Sequence, residues 1–147
     1  MTLVGSAVCD RLSVPDPSKE RDAVVAAYRD AWQHAVEQIG TDASGRISRD
    51  AYVRYALRPR KGRMTFAAEI IWPISDALWD ALDTDGDEQL TRAEYLRLFA
   101  AYDVAGRSAR NAFERLDDNR DGRVSKDEFA QAMYDFYYGS DPVPIFG

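Results

Sequence analysis

Twelve residues, Asp117 to Glu128 (DDNRDGRVSKDE), set side-chain oxygens at alternate positions: Asp117, Asn119 and Asp121 at one, three and five, and Glu128 at twelve. That spacing suits a hard divalent cation. Calcium takes six to eight oxygens from a flexible cage, and a twelve-residue loop supplies them from positions 1, 3, 5, 7, 9 and 12, with glycine at 6 for a sharp turn. Gly122 stands at position 6. Arg123 at position 7 offers only its backbone carbonyl, so its positive side chain is no obstacle. Ser125 at position 9 reaches an ion directly or through water, and Glu128 supplies two oxygens. Val124 at position 8 is the apolar residue that ties one such loop to a neighbour.

A second copy, DTDGDEQLTRAE, lies 34 residues upstream, with Asp83, Asp85 and Asp87 at 1, 3 and 5, Gln89 at 7, Thr91 at 9 and Glu94 at 12. Leu90 takes the apolar position. Position 6 is Glu88, not glycine, and a Cβ in a left-handed turn costs about 1–2 kcal/mol, roughly tenfold in affinity or somewhat more. Four ligand carboxylates here against three in the other loop work the opposite way. The Asp83 loop is expected to bind calcium, but less tightly than its carboxylate count suggests. A worn third copy, GTDASGRISRDA, runs from Gly40 to Ala51. Asp42, Ser44, Gly45 and Ile47 occupy positions 3, 5, 6 and 8, but Gly40 and Ala51 stand where the essential carboxylates belong. This unit is expected to be silent.

Loops of this kind need helices to hold them, and the flanks supply the pattern. Four and one residues before position 1 stand Val36 and Ile39, Trp79 and Leu82, and Phe113 and Leu116. Position 13 is Tyr52, Tyr95 or Phe129, and position 17 is Ala56, Phe99 or Met133. Those offsets put one apolar stripe on each entering and leaving helix. The chain therefore reads as all-α: three helix–loop–helix units of EF-hand type, a C-terminal pair and a degenerate N-terminal hand, with a short β-ribbon between the paired loops.

Helices are expected over about Ser18–Gln38, with Asp16 or Ser18 as cap and Val25, Tyr28, Trp32, Ala35 and Ile39 as buried stripe. Further helices follow over about Arg49–Leu57, Thr65–Leu82 (kinked by Pro73), Thr91–Ala101, Ala105–Leu116 and Ser125–Tyr138. Residues 58–63, RPRKGR, form a basic connector broken by Pro and Gly. The organisation is thus an N-terminal extension (1–17), a degenerate hand with its connector (18–63), the paired calcium-binding hands (64–138) and an apolar tail (139–147) packing on the core.

A chain of 147 residues, 46% hydrophobic, can form one or two compact lobes. Its net charge of −6 argues against nucleic acid, and the seven ligand carboxylates account for much of that charge without an acidic partner surface. No apolar run reaches the length of a membrane span. Cys9 is the only cysteine, which excludes an internal disulfide, favours a reducing cytoplasm, and is expected to be an inert thiol in a flexible N-terminus. LVGSAVC has too short an apolar stretch and no basic flank for a lipoprotein signal.

Other chemistries fit poorly. DTDG after an apolar stretch also occurs in haloacid-dehalogenase-type phosphatases, but those need a buried strand before the first Asp. Ile71 to Leu82 is instead helically periodic, and the acidic pattern recurs at Asp117. Dockerin repeats share the loop spelling but lack full entering helices. His34, the sole histidine, is expected on a polar helix face beside Gln33 and Glu37, with no partner for a triad or zinc site. The patch Arg58, Arg60, Lys61 and Arg63 reads as a solvated connector. Sensors of this type open a Met-rich groove, whereas buffers barely open. Here Trp32, Trp72, Trp79, Tyr137 and Phe146 outnumber Met64 and Met133, and stiff rings suit a filled core.

With loops, flanks and the ending MYDFYYGSDPVPIFG together, the chain resembles the sarcoplasmic calcium-binding protein family, and within it the calerythrin-type proteins of bacteria, over roughly Ser18 to Gly147. The resemblance implies a compact globule of paired hands, a silent second hand, a tail packed into the core, and calcium buffering or transport without catalysis. It carries over as ligands Asp83, Asp85, Asp87, Gln89 and Glu94, then Asp117, Asn119, Asp121, Arg123 and Glu128. Two calcium ions are the implied cargo, with magnesium as the competing ion. A calcium-responsive regulator exposing an apolar surface to a protein partner is the second reading. One departure stands out: the family places a functional hand ahead of the silent one, and residues 1 to 17 contain no such loop. Ile47 then has an open edge, to be covered either by Leu3 and Val4 folding back or by a homodimer through the orphan hands.

Overall fold

A computed structural model describes residues 2–58, 65–101 and 106–129. In order they form α1 (Thr2–Leu12), α2 (Lys19–Ile39), α3 (Arg49–Ala56), a π turn (Ala67–Ile71), α4 (Trp72–Leu82), β1 (Gln89–Thr91), α5 (Arg92–Ala101), α6 (Gly106–Leu116) and β2 (Arg123–Ser125). Among the described residues the fold is all-α with one two-stranded ribbon, as the repeats require. Expectations placed on Arg60, Lys61, Arg63, Met64, Met133, Tyr137 and the tail 139–147 lie outside the described residues. The chain divides into two compact units, one made of Met1–Cys9 and Pro15–Leu78, the other of Asp10–Val14 and Trp79–Gly147.

In the first unit, Ser18 caps α2 by accepting from the Arg21 amide at 3.1 Å, and Glu20 and Asp22 meet the positive end of the helix dipole. The buried line of α2 is Val24, Tyr28, Ala31 and Ala35. It is rotated by about one residue from the predicted stripe, so Val25, Trp32 and Ile39 form its half-buried margin. The reason is α1, a helix packed against α2. Gly5 lets α1 lie against α2 so closely that a Cβ there would sit 3.0 Å from the Val25 Cα. Val8 and Cys9 are buried in the same helix, which corrects the expectation of a flexible N-terminus around Cys9.

Ser48 caps α3 through the Ala51 amide. Tyr55 and Phe66 pack edge to face at 5.6 Å, and Tyr52 packs edge to face with Phe66 at 5.7 Å. His34 is half-buried and its Nε2 lies 2.8 Å from the Tyr55 hydroxyl, so it is a structural partner of α3 rather than a free surface group. Arg58 lies over the Tyr55 ring at 5.1 Å. The kink expected at Pro73 takes the form of a π turn just before it. Pro73 has no N–H for the carbonyl four residues back, and the helix widens so that the Trp72 amide donates to Ala67 O.

In the second unit, α4, α5 and α6 enclose Leu82, Tyr95, Leu98, Phe99, Phe113 and Leu116. Tyr95 packs on Phe99 at 4.9 Å and Phe113 at 5.5 Å, and Trp79 on Phe129 at 5.4 Å. The last turn of α1 joins this core through Leu12. Two guanidinium groups secure it: Arg11 donates to the Ala101 carbonyl at 2.7 Å, and Arg97 donates to the Leu12 carbonyl. Each caps the carbonyl end of a helix, where positive charge is favoured. Leu90 and Val124, both fully buried, face each other across the antiparallel ribbon, with Gln89 opposite Ser125 and Thr91 opposite Arg123.

Candidate metal centre

Each loop starts where its entering helix ends. The amide of position 1 donates to the carbonyl four residues earlier: Asp83 to Trp79 and Asp117 to Phe113 at 2.9 Å, and Gly40 to Val36 at 2.8 Å. All three loops therefore share one entry geometry.

In the two complete loops the first carboxylate then gathers the turn. Asp83 Oδ1 accepts from the amides of Gly86 (2.8 Å) and Asp87 (3.2 Å), and Oδ2 accepts from Glu88 (3.0 Å). Asp117 does the same with Asp121 (3.0 Å) and Gly122 (2.9 Å). Positions 3 and 5 each accept from the amide two residues on: Asp85 from Asp87, Asp87 from Gln89, Asn119 from Asp121, and Asp121 from Arg123. These bonds fold the backbone so that Asp83, Asp85 and Asp87 bring carboxylate oxygens within 4.8 Å of one another. Like charges that close repel, and a divalent cation removes the repulsion. Asp85 registers it: desolvation first, then the neighbouring charges of Asp87 and Glu94, hold its carboxyl above the ordinary range.

Position 12 is placed by a second device. Glu94 Oε2 accepts from the Thr91 amide (2.9 Å) and hydroxyl (2.8 Å), while the Glu94 amide donates back to Thr91 Oγ1. Ser125 and Glu128 repeat this reciprocal cap at 2.8 and 3.0 Å. Position 9, read from sequence as a ligand, is thus also the N-cap of the leaving helix; the S/T-x-x-E spelling carried that signal. Thr84, at position 2, was missed altogether. Its hydroxyl donates to Glu94 Oε1 at 2.8 Å and closes the first loop across its ends. Burial works against the charge on Glu94, yet the Thr91 amide and the two threonine hydroxyls outweigh it and hold its carboxyl below the usual value.

The residues fit calcium. Loop one offers Asp83, Asp85, Asp87 and Glu94 with the Gln89 carbonyl; loop two offers Asp117, Asn119, Asp121 and Glu128 with the Arg123 carbonyl. All are oxygens, as a hard cation demands. The degenerate loop is different. Its one acid, Asp42, spends Oδ1 on the Ser44 hydroxyl (2.6 Å), the Ser44 amide (2.8 Å) and the Arg46 amide (3.0 Å). Those bonds, the Ser44 hydroxyl foremost, lower its pKa. Ile47 is half-buried and has no strand partner among the described residues. Leu3 and Val4 lie in α1, a helix and not a strand.

Comparison with known proteins agrees with this geometry. Residues 74–134 match the model of an EF-hand domain pair. Calerythrin of Saccharopolyspora erythraea is 24% identical over 123 residues, covering 82% of this chain and 69% of that protein. The luciferin-binding protein of Renilla reniformis is 33% identical over 70 residues, 46% of this chain and 38% of its own length. A matched hand pair, a ribbon joining Leu90 to Val124 and two prefolded oxygen loops make residues 74–134 a pair of EF-hands, and over most of its length the chain resembles calerythrin.

Proposed function

We propose that the protein is an intracellular calcium buffer or carrier that binds two ions through Asp83, Asp85, Asp87, Gln89 and Glu94, and through Asp117, Asn119, Asp121, Arg123 and Glu128, without catalysing a reaction. The observation that carries this reading is the matching hydrogen-bond pattern of the two loops, in which position 1 gathers the turn and position 12 is locked by a reciprocal cap. Preset oxygens lose little entropy when an ion arrives, which favours tight, simple binding. The rings of Trp79, Tyr95, Phe99, Phe113 and Phe129 fill the interior of that unit, which suits a core that stays shut. A loop offering this many oxygens, with a two-oxygen glutamate among them, favours calcium over magnesium, whose octahedral demand is stricter. Calorimetric titration tests the reading: two binding events are expected, and none would end it.

A second reading, a calcium-responsive regulator, is favoured by one observation. Val53 on α3 and Leu57 at its C-terminal cap are 40% and 68% exposed, an apolar face that a partner or a second orphan hand would cover. A hydrophobic dye separates the two. Fluorescence that stays flat on adding calcium supports the buffer, and a large rise supports the regulator. Sedimentation in calcium tests the homodimer through the same face.

A further inference from the structure

One side chain bridges the two loops. The Arg123 guanidinium, on the second loop, pairs with Asp87 Oδ2, on the first. Asp87 is at position 5 of its loop, and its other oxygen, Oδ1, already accepts from the Gln89 amide. Both oxygens of this one ligand are therefore engaged, the second by a cation from the neighbouring hand. The relation is not reciprocal. The residue equivalent to Arg123 in the first loop is Gln89, which is neutral, and Asp121, the equivalent of Asp87, has no cationic partner among the described residues.

We infer that Arg123 is an affinity-setting residue for the first calcium site although its carbonyl belongs to the second. This rests on the reading of both loops as calcium sites. The physical argument is charge matching. The first loop carries four ligand carboxylates and the second three. Affinity in such loops follows ligand charge and rigidity. The positive charge of Arg123 against Asp87 offsets one carboxylate of the richer loop, leaving both loops with the same net ligand charge. A calcium ion entering the first loop meets a guanidinium already paired with one of its ligands and must share or displace it. The two sites then fill over one calcium range rather than in sequence, the behaviour of a buffer rather than a staged sensor. Both partners are partly exposed, with side-chain exposures of 44% and 32%, so the effect is that of a screened pair, about two- to fivefold in affinity.

The test follows each loop separately in the otherwise native chain. Two backbone amides report: Glu88, which donates to Asp83, and Gly122, which donates to Asp117. Calcium titrations by ¹⁵N–¹H spectroscopy, with a chelator setting free calcium, are run on the native chain, Arg123→Gln and Arg123→Lys. For Arg123→Gln, half-filling at the Glu88 amide is expected at about two- to fivefold lower calcium. The change at Gly122 should be smaller, and the gain should shrink in 1 M KCl, where screening is strong (Debye length about 3 Å). Arg123→Lys, which keeps the charge, should stay near the native value. An unchanged or weaker Glu88 response in Arg123→Gln overturns the inference, as do equal shifts at both amides or a lysine variant that behaves like glutamine. If neither amide responds to calcium in the native chain, the reading of the loops themselves fails, which is a different result.

Discussion

Glu88 and Arg120 share a left-handed backbone, with φ of 60° and 59°, although they stand at different positions of their loops. Each loop makes two left-handed turns, at positions 4 and 6. The first loop puts glycine at 4 (Gly86, φ 70°) and Glu88 at 6; the second puts Arg120 at 4 and glycine at 6 (Gly122, φ 83°). One Cβ sits in the unfavourable region in each loop, so the handicap inferred for Glu88 has a counterpart in Arg120. Glu88→Gly and Arg120→Gly should each stabilise the metal-free protein by up to about 1 kcal/mol, since relief of strain exceeds the entropy cost of glycine. Gly86→Ala and Gly122→Ala meet no neighbour within 4 Å and should cost about 1–2 kcal/mol from backbone alone. Denaturant unfolding in chelator measures all four; glycine variants that destabilise would contradict this account.

The legible parts of this fold were those with a short repeating code. Oxygen spacing in the loops and the apolar offsets around them depend on near neighbours, the Leu90–Val124 pairing follows from position 8 recurring in both copies, and the structure follows them. What escaped depends on distant packing. The residues of α1 are apolar enough to resemble a leader fragment, and nothing nearby in sequence reveals that Gly5 will meet Val25 or that Arg97 will reach Leu12. The rotation of the α2 face follows from that same packing. Thr84 was missed because position 2 has no fixed role in the loop template, and its bond to Glu94 spans the whole loop.

Glu94 and Glu128 should be unequal despite their equal rank as position 12. Replacing either by Gln should remove one calcium-binding event, from two to one by calorimetry. Without metal, Glu94→Gln should be the more destabilising, because Glu94 also holds Thr84 and is 9% exposed; a difference of about 1 kcal/mol is expected. The carboxyl of Glu94 is lowered in the folded state, so its ionic contribution is present above the ordinary value of 4.5 and is lost as pH falls through the folded value. The gap between native and Glu94→Gln chains should therefore narrow in acid. A gap that widens there would mean the threonine bonds are not the source.

Asp85 carries the opposite sign. Its carboxyl is raised, first by desolvation and then by the charges around it, so folding of the metal-free chain favours its protonated form. The stability it contributes is present below the ordinary value of 3.8 and is lost as pH rises through the folded value. Asp85→Asn should consequently melt at or above the native temperature at neutral pH in chelator, with the advantage fading in acid, while losing the first calcium ion. Calcium binding by the native chain should also release protons as pH falls toward the raised value of this carboxyl. Calorimetry in buffers of different ionisation enthalpy detects that release, and its absence would show that Asp85 is already ionised.

Cys9 gives a measurement independent of calcium. It is 0% exposed in a helix, where a thiol cannot reach a reagent unless the surrounding packing opens. Thiol modification of the native protein should therefore run at least about a hundredfold slower than in denaturant, at a rate set by the free energy of that opening. The helix end beyond Cys9 is secured by the Arg97 bond to Leu12. Arg97→Ala should accelerate modification several-fold by releasing the last turn of α1, at a stability cost of about 1–3 kcal/mol for the lost charged hydrogen bond. Native labelling as fast as in denaturant would return Cys9 to the flexible terminus that composition alone suggests; protection unaffected by Arg97→Ala would show that α1 is held by its apolar contacts and not by the guanidinium clasp.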